Sequence, residues 1–322
     1  MRKKLQFILG ILISVVFLWL ALRKVDFQKF WQALRAANYF YVIGAMFLAL
    51  GALWTRSLRW KFLLGFPKGL KVGSCFSATC VGLMTNNILP FRVGDLAQAY
   101  FLGRRENLSK SKVFSTVVLE RIIDLATMLF VLGISSFFSK RSLEVKGVGT
   151  ILGICIIAVG GILFFVWKGP LIESVFLRVG KKFFPKWAVR LTQLLKSFLS
   201  GFGTIKQSKF ILPSIVLSFA LWLIYGFAMY VALLSFGIKA SLVAGIIVNC
   251  LTVISVMIPS SPGYIGTWEF FGVMALGIFG VEKSLAFSCI FLYHMIQYFP
   301  LVALGLFFLT REGISLREVK KS

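Results

Sequence analysis

Glu120, Arg121 and Asp124 sit inside an otherwise apolar run, Val118-Leu119-Glu120-Arg121-Ile122-Ile123-Asp124. On a helix, Glu120 and Asp124 share a face at i, i+4, and Arg121 reaches Asp124 at i+3. Charges at membrane depth are costly enough to mark function by default, as ligands for a polar headgroup or as proton carriers. The competing reading is a self-neutralising ion pair that locks helix packing. One arginine leaves one of the two acids uncompensated, and adding Arg92, Asp95 and Glu269 gives four acids against two bases. A site built from these residues is expected to be net negative when all are ionised. Burial that kept one acid protonated would equally suit proton coupling.

Two other stretches carry chemistry through their backbone. Asn86-Asn87-Ile88-Leu89-Pro90-Phe91-Arg92-Val93-Gly94-Asp95 and Pro259-Ser260-Ser261-Pro262-Gly263-Tyr264-Ile265-Gly266-Thr267-Trp268-Glu269 each contain Pro-x3-Gly followed by an acid. Paired Pro/Gly-interrupted segments in corresponding halves point to the binding site of an inverted-repeat transporter. The plainer reading is that Pro and Gly kink two packed helices. Asn86 and Asn87 bring amides to the first break, to serve unwound backbone or a ligand. Ser260 and Ser261 before Pro262 and Gly263 read as a helix start. A half-helix beginning there, with Gly266 close behind, would aim free N–H groups at a phosphate. His294, among Tyr293, Gln297 and Tyr298, is a weaker candidate ligand, equally suited to bridging helices by a hydrogen bond.

These residues are positioned by long apolar elements. Of 322 residues, 58% are hydrophobic and 15% charged, and the mean hydropathy is +0.88. An ordinary soluble globule has about 45–50% apolar and about 25% charged residues, so the chain is read as one all-α polytopic integral membrane domain. The 36 Lys and Arg against 11 Asp and Glu give a net charge of +25. Because the basic residues flank apolar runs, their expected counter-charge is anionic lipid headgroups and not nucleic acid. Uncharged runs over 5–22, 39–55, 113–138, 147–167, 210–238 and 284–310 predict six full spans. The first is expected to be a signal anchor, since no small-x-small cleavage signal follows it.

The broken runs 72–91 and 240–268 are predicted to re-enter from opposite sides, because this reading keeps the basic segment 168–209 on the cytoplasmic face with both termini. The organisation is then N-terminal spans over 1–71, a first half with its re-entrant motif over 72–138, a span and a basic segment over 139–209, a second half over 210–310 and a basic tail over 311–322. Within 171–207, Trp187, Leu191, Leu194 and Phe198 share a helical face that fits the cytoplasmic lipid interface. Cys75, Cys80, Cys155, Cys250 and Cys289 lack CxxC spacing and read as small core hydrophobes. No Walker A loop, GxSxG or HExxH occurs, so neither a catalytic residue, a metal nor a cofactor is expected.

The three motifs, at Asn86 to Asp95, Glu120 to Asp124 and Pro262 to Glu269, resemble the flippase-like transmembrane family, named for the membrane half of bacterial lysylphosphatidylglycerol synthases, the multiple peptide resistance factors. The resemblance covers nearly the whole chain and implies movement of polar or aminoacylated phospholipids between leaflets of the cytoplasmic membrane. It implies no synthase activity, because the soluble aminoacyltransferase domain is missing from this sequence. The family more often carries Glu at Asp95 and a basic residue near Gln98. The leading expectation is an ATP-independent lipid translocase or lipid-binding transporter. Asp95, Glu120, Asp124 and Glu269 would receive the cationic part of a headgroup, and Arg92, Arg121 and the start near Ser261 its phosphate. A membrane-embedded transferase and a lipid-binding scaffold for a lipid synthase are the alternatives, and a second copy or a lipid-synthesis partner remains open.

Overall fold

Backbone polar groups in hydrocarbon must pair within their own segment, which for long uncharged runs leaves only the helix. In the computed structural model every regular element among the described residues is helical. Those residues are 2–66, 69–89, 93–139, 208–258 and 260–312, with isolated positions at 153, 157 and 160. Apart from those three positions, the expected span over 147–167 lies outside them, as do the amphipathic segment over 171–207 and most of the tail.

The elements are α1 (Arg2–Leu22), α2 (Phe27–Ala36), α3 (Tyr39–Leu63), α4 (Val72–Ile88), α5 (Gly94–Arg105), α6 (Lys110–Phe137), α7 (Ser208–Ser235), α8 (Leu242–Ile254), α9 (Thr267–Ile278) and α10 (Lys283–Arg311). Single 3-10 turns at Ser255–Met257 and Pro262–Tyr264 separate α8 from α9. Among the described residues α3, α7 and α10 are long and apolar enough to cross a membrane. Their outward faces expose Phe40, Phe47, Val216, Phe299 and Phe307, the surface that hydrocarbon would cover.

α3 is longer than the uncharged run that announces it. Its buried stripe of Ala45, Ala49, Ala52 and Leu53 continues through Arg56, Trp60 and Leu63. It lies antiparallel to α7, with the N–H of Asn38 on the carbonyl of Ser235 at one end and Phe66 against Phe210 at the other. It is also antiparallel to α6, where the Trp60 indole N–H donates to Thr116 Oγ1 at 3.0 Å.

α10 is the spine for the two broken segments. α4 lies antiparallel along its C-terminal half, with Phe76 against Phe308 and Met84 against Gly305. α9 lies antiparallel along its N-terminal half, with Gly272 against Ile290. Each is one arm of a hairpin, α4 with α5 and α8 with α9. The α4–α5 pair is antiparallel and close: Gly82 faces Gly94 and Gln98, and Arg105 donates to Ser77 Oγ at 3.0 Å. At 12 to 17 residues these helices are about 18–25 Å long, short of a hydrocarbon core of about 30 Å.

The short α2 is not reached by the run-length argument. Asp26 caps it, accepting the N–H of Gln28 at 2.8 Å. Phe30 packs on Phe287 and Phe291 of α10, while Phe27 and Trp31 are exposed beside Lys29 and Arg35, an amphipathic arrangement suited to a membrane surface.

The α4–α5 approach yields a test. A Cβ on Gly94 would collide with the Gly82 carbonyl and the Asn86 side chain. Gly94→Ala is expected to cost about 1–3 kcal/mol, the usual penalty of overpacking. Gly51→Ala meets nothing and should be neutral or slightly stabilising, by up to about 1 kcal/mol from helix propensity. Unfolding of both variants in detergent checks the difference.

Candidate functional site

The expectation of an uncompensated acid is overturned by two arginines on α3. Arg59 lies between Glu120 and Asp124, with Nη2 2.8 Å from Glu120 Oε1 and Nη1 on Asp124 Oδ1. Arg56, one turn earlier, reaches Asp124 Oδ2 at 2.9 Å and Glu120 Oε1 at 3.4 Å. Arg59 Nη1 also donates to Ser218 Oγ of α7 at 2.9 Å. Glu120 and Asp124 do share a face, as their spacing requires, and that face meets α3. The uncharged run over 39–55 stops one residue before Arg56, so run length leaves both arginines outside the predicted span. The signal that could have placed them is the helical period of the buried stripe, which passes through Arg56.

Arg121 turns elsewhere. Its Nη2 pairs with Asp95 Oδ1 of α5 at 2.7 Å, and its Nη1 stands 3.7 Å from Asp124. Asp95, Glu120 and Asp124 therefore face Arg56, Arg59 and Arg121, so this group is balanced and not net negative. Exposure is graded along it: Arg59 and Glu120 are fully enclosed, whereas the Arg121 and Asp95 side chains are 27% and 23% exposed. The enclosed Oε2 of Glu120 and Nε of Arg56, Arg59 and Arg121 make no hydrogen bond among the described residues. The network thus has spare donors and a spare acceptor among the described residues, and a partly exposed end at Arg121 and Asp95.

The second half holds a separate ionic pair. His294 Nδ1 of α10 stands 2.6 Å from Glu269 Oε1, and both residues are buried. Glu269 Oε2 accepts the N–H of Gly266 at 2.6 Å, the back-reaching half of a capping box. Trp268 stacks on the imidazole at 5.0 Å between ring centres.

The half-helix expected to begin near Ser261 begins instead at Thr267. Pro262–Tyr264 forms only one turn, because Gly263 and Tyr264 adopt φ of +71° and +59°, which no helix continues. Gly266, at φ +94°, is the N-cap of α9, and Glu269 already occupies that positive end. Ser261 is held instead through its own N–H, which donates to Ser14 Oγ of α1 at 2.7 Å. Ser260 Oγ lies 3.4 Å from Thr267 Oγ1. Ser14 is a residue that sequence reasoning missed, an isolated serine in an apolar run.

At the first break, Asn86 Oδ1 accepts the N–H of Gly94 at 2.8 Å, so its amide serves the backbone. The carbonyl of Asn87 receives the Tyr298 hydroxyl at 3.5 Å, and Gly263 packs on Tyr298 beside that carbonyl. Tyr298 also meets His294 edge-on at 6.1 Å. The tips of the two hairpins therefore meet at His294 and Tyr298, near the middle of α10. Gln98 is buried against Gly82, and Arg92 lies outside the described residues. Among the described residues no three His, Cys, Asp or Glu side chains gather as a metal site. Cys75, Cys80, Cys250 and Cys289 are buried free thiols.

The profile of the lysylphosphatidylglycerol synthase TM region matches residues 7–305. The chain belongs to this family. A UPF0104 membrane protein of Methanocaldococcus jannaschii is 29% identical over 243 residues, 74% of this chain and 98% of the relative. A second UPF0104 protein of that organism is 25% identical over 311 residues, 92% of this chain and 91% of the relative. Glycosyltransferase AglD of Haloferax volcanii is 20% identical over 329 residues, which is 92% of this chain and 52% of AglD. No solved structure matches. The broken segments and the buried network all fall inside the region shared with the family.

The network makes a quantitative prediction for this family member. Arg59→Leu leaves Glu120 buried with a weaker partner and should cost about 3–5 kcal/mol. Combining it with Glu120→Leu restores the charge balance, because Arg56–Asp124 and Arg121–Asp95 remain. The double variant should be more stable than the sum of the single losses by about 1–3 kcal/mol. A double-mutant cycle on detergent unfolding measures the coupling, and simple additivity would count against a shared network.

Proposed function

We propose that this protein is an ATP-independent lipid translocase or lipid-binding transporter of the cytoplasmic membrane, acting on polar or aminoacylated phospholipids. In this reading α1, α3, α6, the run over 147–167, α7 and α10 cross the bilayer. The α4–α5 and α8–α9 hairpins enter it from opposite sides as inverted repeats, with both chain ends cytoplasmic. One observation carries the reading: two hairpins too short to span meet tip to tip near the middle of α10. Unwound backbone at that depth is tolerated against protein or beside a wet cavity, and is where transporters of this construction bind their cargo.

The headgroup chemistry follows from the graded network. Arg121 is the accessible guanidinium, and a planar guanidinium suits a phosphate. A lipid phosphate would compete with Asp95 for Arg121, and the partly exposed Asp95 carboxylate would lie beside the cationic or hydroxylated part of the headgroup. Arg56, Arg59, Glu120 and Asp124 would hold Arg121 and Asp95 in place, and the spare donors and acceptor behind them would solvate an entering polar group. Membership of the lysylphosphatidylglycerol synthase TM family supports lipid as the cargo.

The test is purified protein in liposomes with fluorescent phospholipid and an impermeant quencher. The wild type should expose inner-leaflet lipid to the quencher. Arg121→Gln and Asp95→Asn should slow this at least about tenfold, the equivalent of ~1.4 kcal/mol at the barrier, while unfolding in detergent changes little at these partly exposed positions. Undiminished transport by both variants would remove the two residues from the site. Product formation from a lipid-linked substrate in detergent, where no leaflets exist, would favour a transferase.

A further inference from the structure

We infer that the Glu269–His294 pair takes up and releases a proton during each cycle, which makes this protein a proton-coupled lipid transporter. The inference rests on the translocase reading and adds its energy source. His294 is the single histidine of the chain, and it sits near the middle of a 29-residue helix, at 5% exposure. Buried carboxylate and imidazole groups at membrane depth are the usual parts of proton relays. The pair stands where the two hairpin tips meet and holds the backbone of one of them through Gly266.

The contacts specify the proton's position. A carboxylate only accepts, so with Glu269 ionised Nδ1 of His294 carries the hydrogen directed at Oε1. The Nε2 atom makes no hydrogen bond among the described residues. The next proton binds there, converting a pair of charge −1 into a neutral imidazolium–carboxylate pair, and leaves from the same atom. Each change acts on the break directly, because the other oxygen of Glu269 holds the N–H of Gly266. It also acts on the opposite hairpin through Tyr298, which meets His294 and reaches the carbonyl of Asn87.

Of the ionisable side chains nearby, Tyr298 is in ring contact with the imidazole; the elements packed on α9 and α10 also carry Tyr264 in the turn, Tyr293 and Cys289 on α10, Cys250 on α8, Cys75 and Cys80 on α4, Tyr225 and Tyr230 on α7, and Lys29 and Arg35 on α2. The α1 helix contributes no ionisable side chain over residues 9–22. Arg56 and Arg59 of α3 are committed to Glu120 and Asp124.

The experiment uses the full chain in vesicles of phosphatidylethanolamine and phosphatidylglycerol, with labelled phosphatidylglycerol, trapped pyranine and the membrane potential clamped at zero with valinomycin and potassium. With one proton moved per lipid, a step of one pH unit should drive the transbilayer lipid ratio toward about tenfold. Pyranine should report proton flux that depends on the lipid. Glu269→Gln keeps an acceptor for Gly266, and His294→Gln keeps a hydrogen-bonding side chain. Both variants should lose the pH-driven change in lipid ratio and the lipid-dependent pyranine signal, whereas Gly51→Ala, where an added Cβ meets nothing, should keep them. Independently, the Trp268 fluorescence of the detergent-solubilised wild type should titrate as the imidazole stacked on it gains its proton, and this change should vanish in His294→Gln and in Trp268→Phe. Lipid movement by the wild type that ignores the pH step would overturn proton coupling and leave the translocase reading standing. Absence of lipid movement with or without the step would overturn both.

Discussion

A peptide group stripped of its helical partner has no water to turn to in hydrocarbon, and that constraint governs how the two breaks of this chain are built. Each break is closed by a side chain. Asn86 takes the N–H of Gly94, Ser14 that of Ser261 and Glu269 that of Gly266, while Tyr298 reaches the carbonyl of Asn87. Two of these partners come from other helices, α1 and α10, so the breaks are completed by helices outside their own hairpins. The same requirement explains why α10 is continuous where its neighbours are interrupted: one full-length helix supports two half-length hairpins end to end.

Charge is handled by the same rule of local satisfaction. Taking ions out of water costs several kcal/mol each unless their partners are well placed, and here guanidinium and carboxylate alternate from Arg59 outward. The enclosed members have every incentive to stay paired, whereas the Arg121–Asp95 end has access to its surroundings. The chemistry-bearing side chains form two separate groups: a guanidinium–carboxylate network between α3, α5 and α6, and an imidazole–carboxylate pair between α9 and α10. Tyr298 and the Asn87 carbonyl form the contact between the two hairpin tips. Membership of the lysylphosphatidylglycerol synthase TM family agrees with a surface that is apolar toward lipid and polar within.

How much of this is legible in the sequence depends on how local the physics is. Composition and uncharged runs are enough to read an all-helical membrane protein, since backbone pairing in hydrocarbon depends only on the segment itself. The breaks are legible because Pro and Gly act on their own φ and ψ, and the face shared by Glu120 and Asp124 follows from helical spacing. Reading the start of α9 from Ser-Ser-Pro failed because left-handed backbone at Gly263 and Tyr264 postpones the helix to Thr267. Helix propensity alone does not register that detour.

What only the tertiary structure decided is the identity of partners. Arg56 and Arg59 lie more than 60 residues from the acids they neutralise, and Ser14 lies 247 residues from the N–H it accepts. No pattern along the chain distinguishes a basic residue that ends a helix in headgroups from one that faces a buried acid, because the difference is set by which helix packs opposite. By itself the sequence determined the class, the apolar elements, the two interruptions and the residues able to do chemistry. Helix packing determined which of those charges pair and which are enclosed or partly exposed, because an electrostatic partner is chosen by distance in space and not by separation along the chain.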